Sequence, residues 1–287
     1  MTRVGVVGHR GYAELPEVLR ALVAAAPGLG LTVAFEEELQ AIVGAGEPLR
    51  SPDDVDALLT LGGDGTLLRG ARFVDGRQVP VLGVNLGRVG FLTCCGVEDM
   101  EAALHRLAAG DFRAEARMAL EACMLGAGGV ERRRWRALND VVLHKGGFAR
   151  VVQLRVEANG ETIATYAADG IVISTPTGST AYSLSAGGPV VVPTVESILL
   201  TPVSPHTLAM RPVLLPPSAE VIVQAADGPE ELLVTVDGQV GTIFAAGEAL
   251  AVRRAERPVL IARFPGASFF SRMRHKLGWG GLADRDE

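Results

Sequence analysis

Lysine is nearly absent from this chain of 287 residues: Lys145 and Lys276 are the only two, and the other basic side chains are arginines. With the abundant Ala and Gly, this reads as compositional bias. Long runs of like charge are also missing, and the net charge is -6. A nucleic-acid-binding surface leaves a basic footprint, so that class is excluded. An anionic ligand must then be held by local backbone donors and a few arginines. The hydrophobic fraction is 48%, enough for a folded chain, yet no apolar run approaches the ~20 residues that span a bilayer. The opening, Met1-Thr2-Arg3-Val4-Gly5-Val6-Val7-Gly8, is too short and glycine-interrupted for a secretory leader and reads as a first buried strand. Cysteine is scarce. Cys94, Cys95 and Cys123 suit neither a disulfide framework nor a four-ligand zinc site, and read as small buried hydrophobes in a reducing cytoplasm. No HExxH or paired His/Cys spacing occurs, so no dedicated metal site is expected.

What is there divides into two grammars. Up to about residue 118, apolar strand blocks alternate with helical periods. Strands are expected at Val4–Val7, Leu31–Phe35, Val55–Leu61 and Val79–Val84, and helices at Leu15–Ala26, Thr66–Phe73 and Val97–Ala109. This is the pattern of a parallel sheet covered on both faces. From about residue 119 short strands dominate: Val151–Ala158, Ile171–Ser174, Val213–Leu215, Val221–Gln224, Leu232–Val236 and Leu250–Arg254. Asn159-Gly160 predicts a type I′ hairpin, and Asp227-Gly228 and Asp237-Gly238 mark further turns. The expected fold is an α/β domain, 1–118, followed by a β-rich, sandwich-like domain, 119–261, with a tail, 262–287, that can pack back on the first. Within that tail Ser268–Leu277 predicts a short basic helix.

The chain is organised around Leu61-Gly62-Gly63-Asp64-Gly65-Thr66. Strand, glycine turn, helix is the usual way to set backbone N–H groups around a phosphate. It is not a Walker A loop, because no Gly-Lys-Ser/Thr follows, and position 68 is Leu rather than the third glycine of a dinucleotide fingerprint. Asp64 is the odd residue, since a fixed negative charge repels an anion. It makes sense if it acts on a hydroxyl or through a metal ion, which points to phosphoryl transfer. A bare turn needs less than three glycines around one Asp.

Four other stretches carry chemistry. Asn85-Leu86-Gly87-Arg88-Val89-Gly90-Phe91-Leu92 would be a second glycine-rich loop at the edge where open α/β sheets bind ligands, or simply a packed loop. Asn139-Asp140 sets an amide beside a carboxylate; both reach one ligand only at a bulge or strand end, and an Asp there can hold ribose hydroxyls. The alternative is a turn before a strand. Asp169-Gly170 through Ser174-Thr175-Pro176-Thr177-Gly178-Ser179-Thr180-Ala181-Tyr182 runs from a charge through a strand into a hydroxyl-rich loop. A helix over Ala181–Ala186 follows, capped by Ser179 or Thr180. Ser179 lacks the second glycine of an acyl-hydrolase elbow. His206, in Pro205-His206-Thr207-Leu208, reads as structural.

Together these stretches, with Ser185-Ala186-Gly187-Gly188-Pro189, Pro205-His206-Thr207-Leu208 and Ser268-Phe269-Phe270 in the same order, resemble the bacterial NAD kinases over nearly the whole chain. The first motif alone is shared with diacylglycerol, sphingosine and phosphofructo-kinases; the others narrow it. The resemblance implies transfer of a phosphoryl group from ATP or polyphosphate, with Mg²⁺ or another divalent cation on the nucleotide, to the adenosine 2′-hydroxyl of NAD, giving NADP. It implies Asp64 as the proton acceptor, with Gly62, Gly63, Gly65 and Thr66 around it. Asn139 and Asp140 would bind NAD hydroxyls and Asp169 the nicotinamide half. Thr177, Thr180, Ala181, Tyr182, Ser183, Leu184 and Ser185 would line the dinucleotide site, with Arg69, Arg150 and Gln239 as further contacts. It also implies a cytoplasmic homodimer or homotetramer with sites close to subunit interfaces. Two departures stand out. Many members carry Asn-Glu where this chain has Asn139-Asp140, and many carry an Arg just before Asp169, where Tyr166, Ala167 and Ala168 stand here. The rival readings are a lipid or sugar kinase sharing the glycine-Asp turn, and a dinucleotide-binding regulator without turnover.

Overall fold

The computed structural model describes residues 2–87, 90–147, 151–207, 209–226, 232–266 and 268–279. The chain divides into two compact units, Met1–Ala116 joined by Val259–Glu287, and Arg117–Pro258.

The first unit is built on strands β1 (Thr2–Gly8), β2 (Leu31–Phe35), β3 (Glu47–Pro48), β4 (Ala57–Leu61), β5 (Val81–Asn85), β6 (Cys95–Gly96) and β7 (Arg113–Arg117). Helices α1 (Leu15–Ala25), α2 (Glu37–Val43), α3 (Asp64–Val74) and α4 (Met100–Ala109) lie between them. The strand order is β3-β2-β1-β4-β5, continued by two further strands: β20 (Val259–Arg263), which returns from the far end of the chain, and then β7. β1, β2, β4 and β5 pair in parallel, as expected from their apolar runs; the short, polar β3, not expected from the sequence, adds to β2 in parallel, and β20 joins β5 in parallel at Ile261↔Val81. One core binds Val4, Val6, Leu59, Leu61, Leu82 and Val84 of the sheet to Leu15, Leu19 and Leu22 of α1 and Leu104 and Leu107 of α4. On α3, Gly70 lets the helix lie close to β4, because a Cβ there would stand 2.6 Å from Thr60 Cγ2. α6 (Phe269–Leu277) starts where the sequence placed it, with the Ser268 hydroxyl accepting from the Ser271 N–H. Its Phe269 ring lies 6.4 Å from that of Phe91.

The second unit is antiparallel throughout. Its strands are β8 (Leu120–Leu125), β9 (Glu131–Ala137), β10 (Asp140–Lys145), β11 (Val152–Ala158), β12 (Glu161–Ala168), β13 (Gly170–Ser174), β14 (Ile198–Val203), β15 (Val213–Leu215), β16 (Val221–Ala225), β17 (Leu232–Val236), β18 (Val240–Phe244) and β19 (Ala249–Arg254). They form two six-stranded sheets, β15-β14-β13-β10-β17-β18 and β12-β11-β16-β19-β8-β9. Alternate residues of each, such as Val141, Leu143, Ile171 and Ile173 against Leu154, Val156, Val223 and Leu250, meet in one core, the arrangement of a β-sandwich. The Asn159-Gly160 hairpin forms with positive φ at both residues (52° and 82°) between the paired Ala158 and Glu161. The Asp227-Gly228 turn lies outside the described residues.

Several expectations are corrected. The helix after the glycine turn begins at Asp64, with Gly63 as its N-cap, not at Thr66. The helix after the hydroxyl-rich loop is one turn, α5 (Tyr182–Ser185), and its N-cap is Ala181, without a side-chain cap from Ser179 or Thr180. The Ser179 hydroxyl instead donates to the Pro176 carbonyl and accepts from the Val191 N–H. The three cysteines are unpaired but half-buried rather than buried; Cys94 and Cys95 lie at the two-residue β6, which pairs in parallel with β5.

Candidate active site

In the first unit the chain leaves β4 and turns on Gly62-Gly63. A side chain on Gly62 would collide with Thr66 Oγ1, 2.3 Å from the Cβ position, so the turn closes only with glycine. Asp64 is therefore the first residue of α3, at the positive end of the helix dipole. Its carboxylate is turned onto the loop after β5. Oδ2 accepts from the Phe91 N–H at 2.8 Å; Oδ1 accepts from the Leu92 N–H at 2.9 Å and the Thr93 N–H at 3.2 Å. A carboxylate offers about four lone-pair directions, so among the described residues these bonds leave one open, on Oδ2. The loop closes on itself through the Gly90 N–H and Thr93 Oγ1, 3.1 Å apart, and a Cβ on Gly90 would fall 1.9 Å from Asp64 Oδ1. The anion is thus neutralised by peptide dipoles and the helix start, which resolves the electrostatic conflict read from the sequence.

Behind the turn stand Tyr12 and Asn85; a Cβ on Gly63 would lie 3.5 Å from Tyr12 Oη and 3.9 Å from Asn85 Oδ1. Arg69, on the next turn of α3, is tied to the Glu36 carboxylate by two bonds of 2.7 and 2.9 Å and donates to the Gly8 carbonyl. Glu36 also accepts from the Gly8 N–H. Arg69 thereby fastens α3 to the end of β1.

In the second unit, Leu138-Asn139 links β9 to β10, so Asn139 and Asp140 stand at a strand end, the condition under which both can face one ligand. Two segments hold them there. Thr175 donates its N–H to the Asn139 carbonyl and its hydroxyl to that of Leu138. Gly178 passes so close that a Cβ would lie 2.1 Å from the Asn139 oxygen. From the β17–β18 turn, the Asp237 carboxylate accepts from the N–H groups of Leu138 (3.1 Å), Asn139 (2.7 Å) and Asp140 (3.2 Å). A cavity of about 350 Å³ opens beside them, lined by Asn139, Asp140, Ala181, Tyr182, Thr235 and Asp237 among others. The Asp140 side chain is buried, and burial first, then the Asp237 charge, pushes its carboxyl up to about 7.

The remaining predicted residues fall in different surroundings. Tyr182 and Ser185 are exposed and Thr180, Ala181 and Leu184 half-buried; of these, Ala181 and Tyr182 line the cavity. Ser183 is buried with its hydroxyl 2.9 Å from that of Thr201, and Thr177 accepts from the buried Arg117. Gln239 is exposed one residue beyond Gly238, which lines the cavity. Asp169 pairs with Lys145 at 2.7 Å. It stands at the other end of the β10–β13 pair, where His144 faces Gly170, while Asp140 faces Ser174. Four strand residues lie between them, so the separation along the strands is five rises, about 17 Å. Arg150 lies outside the described residues, as do Arg88, Val89 and Leu208.

Sequence reasoning missed Asp237, Glu36, Thr93 and Arg263. Only Asp237 left a signal, as the Asp-Gly of a turn, and a turn residue needs no partner 97 positions away.

A carboxylate with one acceptor direction open, at a helix start above a glycine turn, suits a hydroxyl proton better than an anion. This sets the chain among phosphotransferases with an alcohol acceptor. The family descriptions "ATP-NAD kinase N-terminal domain" and "ATP-NAD kinase C-terminal domain" match residues 5–112 and 138–264. The NAD kinase of Gemmatimonas aurantiaca is 65% identical over 284 residues, covering 99% of this chain and 98% of the relative; that of Syntrophotalea carbinolica is 39% identical, covering 98% and 99%. Among solved structures, yeast NADH kinase complexed with NADH is similar at a TM-score of 0.86 and 25% identity, over 100% of this chain and 90% of that one. An NAD kinase from Archaeoglobus fulgidus in complex with ATP is similar at a TM-score of 0.74 and 25% identity, over 97% and 100%. The chain belongs to the NAD kinase family. Its reaction is phosphorylation of NAD at the adenosine 2′-hydroxyl to NADP.

Proposed function

We propose that this chain uses ATP as phosphoryl donor and Asp64 as the base that takes the 2′-hydroxyl proton of NAD. The observation that carries the reading is the hold of three peptide N–H groups on the Asp64 carboxylate, which among the described residues leaves one acceptor direction on Oδ2. A loose phosphoryl-transfer transition state needs alignment and charge neutralisation more than covalent help. Held this way, Asp64 loses no entropy in reaching the hydroxyl and accepts its proton as the new P–O bond forms. Gly62, Gly63, Gly65 and Thr66 line the donor phosphates at the start of α3. Among the described residues no three His, Cys, Asp or Glu side chains gather as a cage, and the Asp64 oxygens are largely committed to peptide donors. Mg²⁺ or another divalent cation arrives with the nucleotide and neutralises its phosphates.

In the second unit Asn139 and Asp140 take NAD hydroxyls at the cavity, with Thr180, Ala181 and Tyr182 beside them. Asp169, about 17 Å along the strand pair from Asp140, serves the nicotinamide half, and the enzyme is a cytoplasmic homodimer or homotetramer. Among the described residues no helix is long and apolar enough to cross a membrane.

A donor panel tests the reading: MgATP, other nucleoside triphosphates and inorganic polyphosphate, each with NAD or NADH, read by an NADP-specific dehydrogenase. NADP formation with MgATP is expected. Phosphorylation of diacylglycerol or fructose 6-phosphate with no NADP from any donor would overturn it.

A further inference from the structure

The loop that holds Asp64 is itself held from behind. Arg263, near the end of β20, is only 4% exposed. Its guanidinium donates through Nη1 to the Thr93 carbonyl at 2.9 Å and through Nη2 to the Phe91 carbonyl at 3.2 Å, while the Glu115 carboxylate lies 3.6 Å from Nε. Each of those carbonyls shares a rigid peptide plane with an N–H that points the other way. The Phe91 carbonyl is joined to the Leu92 N–H, which donates to Asp64 Oδ1 at 2.9 Å. The Thr93 carbonyl is joined to the Cys94 N–H, which donates to the Gly83 carbonyl of β5 at 2.7 Å. One guanidinium therefore pulls on two peptide groups, one ending on the Asp64 carboxylate and the other on the sheet.

We propose that Arg263 is a positioning residue for phosphoryl transfer, setting the orientation of the Asp64 carboxylate through the Phe91–Leu92 and Thr93–Cys94 peptides. The proposal rests on the reading of Asp64 as the base. A planar fork with two parallel donors fits two carbonyls of one loop, which a lysine ammonium or an apolar side chain does not reproduce. Hydrogen bonds in series polarise one another, so a cation on the Phe91 oxygen strengthens the Leu92 N–H as a donor to Asp64. A buried cation is weak evidence for a stabilising role. What Arg263 supplies beyond packing is alignment, and a misplacement of about 1 Å near the reacting atoms costs on the order of 100-fold in rate.

The test uses the full chain with Arg263→Met and Arg263→Lys, alone and combined with Asp64→Asn. Turnover per folded molecule, KM for NAD, equilibrium NAD binding and Tm are measured. Arg263→Met is expected to lower kcat about 100-fold with NAD affinity held within about threefold, and Arg263→Lys to recover part of the loss. Adding Arg263→Met to Asp64→Asn should cost nothing further, since both act at one carboxylate. Unchanged kcat, or a loss that multiplies in the Asp64→Asn background, overturns the proposal. If Arg263→Met does not fold, Arg263→Lys decides by the same criteria. Near-normal turnover in Asp64→Asn alone sinks the base assignment and the proposal with it. An inactive Asp64→Asn beside a fully active Arg263→Met sinks the proposal alone.

Discussion

Asp140 and Asp237 put two carboxylates at one strand end, and the two are treated differently by their surroundings. Asp237 accepts three peptide N–H bonds. Asp140 has burial and a like charge, which together raise its carboxyl to about 7. The sign follows directly. Between its ordinary value of 3.8 and about 7, the unfolded chain has released a proton that the folded chain keeps. Folding stability is therefore lost as pH rises across that window and is constant above it. Asp140→Asn removes the term, so its Tm should exceed that of the parent by a margin that grows from pH 5 to pH 7.5, reaching roughly 5 °C, and then levels. Ribose hydroxyls donate to the ionised form, so KM for NAD should fall as pH rises through about 7 in the parent and stay flat in the variant. Parallel Tm and KM profiles for the two proteins would contradict the assignment.

The glycine-rich loop from Gly90 to Thr93 works as one element with the start of α3. The Cβ of an alanine at Gly90 would overlap Asp64 Oδ1, so Gly90→Ala should displace the carboxylate. The expected result is a kcat about 100-fold lower or less, with NAD binding retained and little change in Tm. Normal turnover would mean the loop does not position Asp64. The sequence announced this loop by its glycines and its place after an apolar strand, but not which groups its N–H donors serve. Elements that obey a period were legible: α1, α4, β2, β17 and the Asn159-Gly160 hairpin came from spacing and turn chemistry alone. Elements without one were not. β9, Glu131–Ala137, is exposed over its first four residues, so its polar stretch carries no strand alternation. α2 spans seven residues with only Leu39 buried, too short for a helical stripe.

At the scale of the molecule, the change of grammar near residue 119 was legible because a parallel sheet needs continuous apolar runs and a sandwich needs alternation. The tail 262–287 is expected to be able to pack back on the first unit, but β20 (Val259–Arg263), the strand that returns to join the first sheet, is not expected from the sequence. That return brings Arg263 behind the Asp64 loop, which is why no local motif could point to it. The two units divide the proposed labour. The first holds the base and the phosphate turn, and the second holds the dinucleotide hydroxyls. Binding and transfer are therefore separable by a change confined to one oxygen of Asp64. The most direct measurement is 2′-phosphorylation of NAD by Asp64→Asn beside its equilibrium NAD affinity, in the same buffer with MgATP. The account predicts affinity within about threefold of the parent and turnover lower by three orders of magnitude or more, on the order of a lost general base and its alignment combined. Turnover near the parent's would contradict it.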